Sequence, residues 1–457
     1  MTENSQNVEY YFEELFEAVS NDDLDRFREI FLSLHERDQQ ELFHLLYPEK
    51  KRKIADFLTP EEFAEIFEWM DIENQEAAVT YLPKEYIVSV FNYLPTDTLA
   101  TFVFSTPNPN VADLLKLMDK DEFDRLQEVL SYEQETAGSI MTKEYFYVHE
   151  DETPQEVIEN IRNFGERAET IYYLYVVDTM HRLKGVLSLR DLLLAPAGQP
   201  ISEVMSSHII SVLVSEDQEE VANIIQDYDL IAIPVITNDQ RLVGIITVDD
   251  IMDVVELEAT EDFQEFAGIS TPKATEPVEA ESPFTAAKSR APWIIILLFL
   301  SMISGGLISF FEETLAAVVS LAAFIPLIMA TAGNVGTQSL AVAVRNMNIE
   351  DDESRNLKEI LINEAKTGVL IGSISGVIIF LLVLILYRDF MLAFIVGISI
   401  FLSIIVSAVI GTLIPDVIQK MNFDPAVASG PFITTINDTL GLLIYFAIAT
   451  ILLTLLN

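Results

Sequence analysis

The chain has no cysteine, two tryptophans and five histidines in 457 residues. Without thiols, disulfides and thiolate metal sites are excluded. The histidines show no zinc-type spacing. There is no Walker loop and no nucleophile constellation, so the sequence reads as a non-enzyme and ATP hydrolysis is not expected. Basic residues are scarce, 27 against 72 acids, giving a net charge of −45. Phosphate binding needs a basic surface, so a nucleic-acid partner is not expected. The opening residues, MTENSQNVEYYFEELF, have neither a basic n-region nor an apolar h-region. They do not read as a signal peptide, and the N-terminal part is expected to stay in the cytosol.

Half of the residues are hydrophobic, and the mean hydropathy is +0.30. The charge is unevenly placed. Residues 291–457 hold 12 acids and 6 bases, which leaves 60 and 21 for residues 1–290. A strongly acidic soluble part therefore precedes a membrane part. Crossing a bilayer takes about 20 apolar residues. Five stretches qualify: 291–311, 314–344, 367–387, 390–415, and 425–457 with one aspartate. Basic residues favour cytoplasmic loops. Lys288 and Arg290 precede the first stretch, four bases separate the second from the third, and Lys420 lies between the fourth and fifth. The opposite side has only Arg388. The reading is a multi-pass protein of the cytoplasmic membrane, N-terminus inside and C-terminus outside. The alternative makes one long stretch re-entrant.

Within residues 40–110, prolines recur at 48, 60, 83, 95 and 107, with one cycle near MDIENQ lacking its proline. Proline suits a first helical position, and acids suit the turn after it. The expectation is a small α-solenoid of stacked short helices. Residues 137–256 hold a duplication. SIMT (139–142) is echoed by EVMS (203–206), and YVVDTMHRLKGVLSLRDLL (175–193) by VITNDQRLVGIITVDDIM (235–252). This resembles a tandem pair of CBS domains, an α/β module, often dimeric, that can hold adenine nucleotides. The repeated Ser/Thr and Asp typically bind the ribose, here Ser188 with Asp191 and Thr247 with Asp250. Tyr173 and Arg190 are further candidate contacts for ATP.

The run DDIMDVVELEATED (249–262) has seven acids and no base. Acids spaced i, i+3 or i+4 share a helical face and repel. Such a helix needs neutralising, and Mg²⁺, which accepts carboxylates while keeping several waters, is suited to it. The alternative is a solvated charged face. Residues 263–290 read as a loop, then a short interfacial helix, PFTAAKSRAPW, entering the first span.

Asp438 interrupts the last apolar stretch. An ionisable residue inside a membrane usually faces a cavity or a partner. No Lys or Arg lies within the five stretches. Gly430, Thr434, Asp438 and Gly441 share a helical stripe, where small and polar residues would admit water and expose backbone near Thr434. That combination fits a cation that keeps its water. A protonated aspartate in a proton-coupled carrier remains open. In the second stretch, ATAGNVGTQSLAVAVR, the amides Asn334 and Gln338 point to a lined aqueous path, against a reading of close packing by small residues.

AGNVGTQSLAVAVR and DPAVASGPFITTINDTLGLLIYF resemble the paired signatures of MgtE magnesium channels, and the order of parts matches along nearly the whole chain. The resemblance implies a homodimer with the ion path at its interface and Asp438 of both chains holding hydrated Mg²⁺, helped by the Thr434 carbonyl. It also implies closure by cytosolic Mg²⁺ bound between the soluble domains and the connecting helix, at Glu219, Asp229, Asp250, Asp253, Glu258, Glu261 and Asp262. One departure stands out. Where the family usually has a PDD turn, this chain has Pro95-Thr96-Asp97, leaving Asp97 as the acid, and Thr at 101. The sensor's N-domain half is then weakened or rearranged.

The expected layout is multidomain: a helical domain (1–136), a CBS pair (137–200 and 201–256), a connecting or plug helix and linker (257–290), and an all-α membrane domain of five transmembrane helices (291–457). The reading is a Mg²⁺-gated Mg²⁺ channel in a lipid bilayer. The rivals are a proton- or sodium-coupled divalent-cation carrier and a nucleotide-sensing membrane protein without transport.

Overall fold

The computed structural model describes residues 3–106, 109–165, 168–269, 282–347, 356–421 and 429–456. Pro107, the linker 270–281, Arg355 and the start of the fifth stretch (425–428) lie outside them. The chain divides into two compact units, Met1–Glu256 and Leu257–Asn457.

The first unit begins with short stacked helices, among them α1 (Pro60–Glu68), α2 (Thr96–Ser105) and α3 (Lys120–Leu130). Their starts explain the periodic prolines. Pro48 and Pro60 occupy the first helical turn, whereas Pro83 and Pro95 sit one position earlier, as N-caps. In the cycle without proline, Asp71 caps its helix by accepting the Asn74 backbone N–H at 2.8 Å. An oxygen acceptor there does the work of ending an orphan donor. The core between the helices is aromatic: Phe63, Phe67, Phe91 and Phe102 are fully buried.

The duplicated region forms two three-stranded sheets with the same topology. In the first, β1 (Tyr145–His149) pairs in parallel with β2 (Thr170–Val177), and β2 pairs antiparallel with β3 (Leu183–Ser188). Helix α4 (Pro154–Phe164) makes the crossover, and α5 (Leu189–Leu194) follows β3. In the second, β4 (Val212–Leu213), α6 (Gln218–Asp227), β5 (Ala232–Ile236), β6 (Leu242–Thr247) and α7 (Val248–Phe266) repeat the order. The halves exchange leading segments: Thr142 bridges to Ile245 of the second, and Ser206 to Val186 of the first. The hairpin tips meet where Arg182 opposes Arg241. The core of the second half is continuous with that of the helical domain, through Leu126, Val129, Met141, Val221 and Ile246. The first half keeps its own core around Val148, Leu174 and Leu187.

Among the described residues, the second unit holds five helices long and apolar enough to cross a membrane. They are α8 (Pro283–Phe310), α9 (Ile325–Met347, led by a 3-10 turn from Val319), α10 (Leu357–Tyr387), α11 (Phe390–Lys420) and α12 (Gly430–Leu456). The expected interfacial helix is not separate. It forms the first turns of α8, which continues through Pro292. Helix α9 packs against both α11 and α12, α10 lies along α11, and α8 touches α12. Serines 399, 403 and 407 line one buried face of α11, where small side chains permit close approach.

Candidate ion site and acid cluster

Helices α9 and α12 meet at a notch made by two glycines. A Cβ at Gly333 would stand 2.7 Å from Thr434 Cγ2 and 2.8 Å from Asp438 Oδ1. A Cβ at Gly336 would overlap the amide of Asn437. The missing side chains let the polar turn Thr434–Asp438 lie directly on α9. Thr434 donates to Gly430 O at 2.8 Å, and Thr337 to Gly333 O at 3.0 Å. The two hydroxyls stand 3.0 Å apart. Asp438 is half-buried, and its Oδ1 has no hydrogen-bond partner among the described residues.

The stripe expected to admit water is mostly packed. Gly430 is buried, with Phe266 and Thr337 at ordinary contact distance from where a Cβ would stand, and Gly441 rests closely on Ala332. The reason is that small residues on α12 are used to seat α9. Solvent reaches Thr434 and Asp438 in part, and Asn334 and Gln338 are exposed on α9. Helix α12 is unbroken at Thr434, so its carbonyl lies inside the helical ladder and offers only its second lone pair.

A second concentration of charge lies in the first unit. Asp97, in the first turn of α2, is buried, and its Oδ1 has no hydrogen-bond partner among the described residues. Burial, then the charges of Asp250, Glu169 and Glu144, push it well above the usual carboxylate range. Asp250 is raised too, chiefly by burial, although the Thr247 hydroxyl donates to it. Burial and their acidic neighbours push Glu68 and Glu169 up to about 7. Both side chains keep solvent contact, which screens these shifts relative to that of Asp97. Asp253 is raised by burial and by Glu256 and Asp249.

Glu144 holds this region together. Its Oε2 accepts Thr96 N–H at 3.1 Å and the Thr142 hydroxyl at 2.7 Å, and its Oε1 accepts the Thr96 hydroxyl at 2.9 Å. Arg125 of α3 stands 3.6 Å from Oε1, and Lys143 pairs with Glu128 at 2.7 Å. Among the described residues no three Asp, Glu or His side chains are close enough to chelate one ion. The donor set suits a hydrated Mg²⁺, which needs one or two carboxylates. Glu219 and Asp229 stand exposed near opposite ends of α6. Glu258, Glu261 and Asp262 follow on the distal turns of α7. Sequence reading missed Glu68, Glu144, Glu169 and Asn437. The acids lie far apart along the chain: pairing of β1 with β2 brings Glu144 beside Glu169, and docking of the helical domain adds Glu68. Asn437 carried a signal, a second polar residue beside Asp438.

The two nucleotide-type pairs differ. Ser188 caps α5 and donates to Asp191 at 2.6 Å, with Tyr173 opposite it on β2 and Arg190 exposed. Thr247 is buried and its Asp250 partner belongs to the acid cluster. Only the first pair lies open.

A family model described as divalent cation transporter matches residues 325–448, one for the MgtE intracellular N domain matches 34–135, and CBS models match 137–198 and 201–257. The magnesium transporter MgtE of Enterococcus faecalis is 38% identical over 97% of this chain and 98% of its own. The chain belongs to the MgtE family. The MgtE of Bacillus subtilis is 40% identical over 74% of each chain. A crystal structure of the cytosolic domain of the Mg²⁺ channel MgtE in complex with ATP is 35% identical, covering 53% of this chain and 99% of that one, with a TM-score of 0.50. MgtE membership gives the broad function, magnesium transport by a multi-pass membrane protein. It also fits the layout of helical domain, CBS pair and helical membrane part.

Proposed function

We propose that the chain is a Mg²⁺ channel that admits the ion down the membrane potential and closes when cytosolic Mg²⁺ binds its soluble part. The observation that carries the reading is Asp438, a carboxylate in an apolar span with an oxygen unpartnered among the described residues and no Lys or Arg within the five apolar stretches. A hydrated divalent cation balances that charge without stripping its waters. Asp438 and Thr434 hold the ion, with Asn334 on the exposed face of α9. The active form is a homodimer that places two such faces around one path, with the N-terminal domains in the cytosol and the C-terminus outside. The domain bounds are 1–136, 137–256, 257–290 and 291–457.

The potential supplies roughly 2.3 kcal/mol per charge per 100 mV, hence about 4.6 kcal/mol for a divalent ion. No coupling ion is required. Cytosolic Mg²⁺ neutralises Asp97, Glu219, Asp229, Asp250, Asp253, Glu258, Glu261 and Asp262, and so favours the closed state. Helix α7 is the lever. It carries Asp250 in its first turn and ends at Phe266, which in the second unit packs against the cluster of Leu340 and Ile433. ATP, seen with the related cytosolic domain, sits at Tyr173, Ser188, Arg190 and Asp191.

The test is Mg²⁺ flux into proteoliposomes with and without an inside-negative potential. Wild type should show potential-driven flux, and Asp438→Asn should abolish it. Flux that survives the substitution removes Asp438 from the path. Flux that requires a proton or sodium gradient favours a coupled carrier.

A further inference from the structure

Asn437 is fully buried at membrane depth, and neither Oδ1 nor Nδ2 has a hydrogen-bond partner among the described residues. An unpartnered buried amide is destabilising, and an apolar side chain would fill the space without that penalty. Its place is defined by Gly336, where any Cβ would overlap its Nδ2. Helix α9 has no room to retreat, because Gly411 of α11 abuts the Gly336 carbonyl on another side. One turn away, Gly333 receives Thr434 and Asp438 in the same manner. The side chains at 434, 437 and 438 therefore enter two adjoining gaps on one helix, and the rotation of α12 about its axis is set by what sits over Gly336.

We propose that Asn437 is a positioning residue for Asp438: seated over Gly336, it fixes the rotation of α12 and so the direction in which the Asp438 carboxylate faces. The inference rests on the reading of Asp438 as an ion-path residue. It extends that reading to a side chain that does not touch the ion.

The test uses the full chain in proteoliposomes and separates maximal flux from the Mg²⁺ concentration giving half of it. Asn437→Ala should raise the half-saturating concentration about tenfold and keep maximal flux within about threefold. Gly336→Ala, which collides with Asn437, should lower flux at least tenfold. The pair Gly336→Ala with Asn437→Ala removes the collision and should match Asn437→Ala alone. A purely structural role would lower maximal flux and leave half-saturation unmoved. Unchanged half-saturation in Asn437→Ala, or a double variant no better than Gly336→Ala, overturns the proposal while Asp438→Asn still abolishes flux. Should Asp438→Asn leave flux intact, the ion-path reading itself fails and this inference falls with it.

Discussion

The Thr96 hydroxyl donates to Glu144 Oε1 at 2.9 Å, and the Thr96 backbone N–H donates to Oε2 of the same carboxylate at 3.1 Å. This pair ties the helical domain to the CBS pair without any metal. It occupies the turn where an acid would face Glu144 and repel it.

Removing the tie should loosen docking. Hydrogen bonds to charged groups contribute about 1.5–3 kcal/mol. Thr96→Val keeps the backbone bond and loses the hydroxyl, so it should raise the Mg²⁺ needed for half-maximal docking by about tenfold. Thr96→Asp should raise it further, because it adds a like charge. Cysteines at Glu128 and Lys143, joined by a short bismaleimide, report docking, and the chain has no other cysteine to react. Equal crosslinking curves for wild type and Thr96→Val would show that the bond is idle.

Docking should also strengthen as pH falls. Asp97, Asp250, Glu68 and Glu169 all have raised pKa values in the docked arrangement. An acid raised in one state binds more protons there, so that state gains as pH drops. The contribution is fully present below the ordinary carboxylate value. It is lost as pH rises through about 7, the value for Glu68 and Glu169. At fixed low Mg²⁺, crosslinking should be higher at pH 6 than at pH 8. The opposite slope would mean that the cluster is not desolvated by docking.

Much of this was legible in the sequence. The spans show because an uncharged run is unmistakable against 22% charged residues. The CBS pair shows because GVLSLRD (185–191) is repeated as GIITVDD (244–250), with glycine, Ser or Thr, and Asp at the same spacing. What the sequence hides is packing. Ser188–Asp191 and Thr247–Asp250 have the same spacing, yet one is open and the other buried in the acid cluster, since only the second half shares a core with the helical domain. The expected water-lined stripe on α12 is likewise a matter of what covers it. A glycine reads equally well as an opening or as a seat for a neighbouring helix; Gly441 is a seat for α9, and Gly430 is covered.

That asymmetry predicts one nucleotide per chain. Asp191→Ala should abolish ATP binding measured by calorimetry on the intact protein. Thr247→Val should change affinity less than threefold. Equal losses in both variants would show that the second pair is also accessible.

The most direct test of the account is the reversal potential of the Mg²⁺ current across a bilayer containing the intact protein. A channel selective for a divalent ion should shift its reversal by about 30 mV per tenfold change in the Mg²⁺ gradient, with no response to proton or sodium gradients, and Asp438→Asn should carry no current. A reversal that follows protons or sodium, or a current that persists in Asp438→Asn, would contradict it.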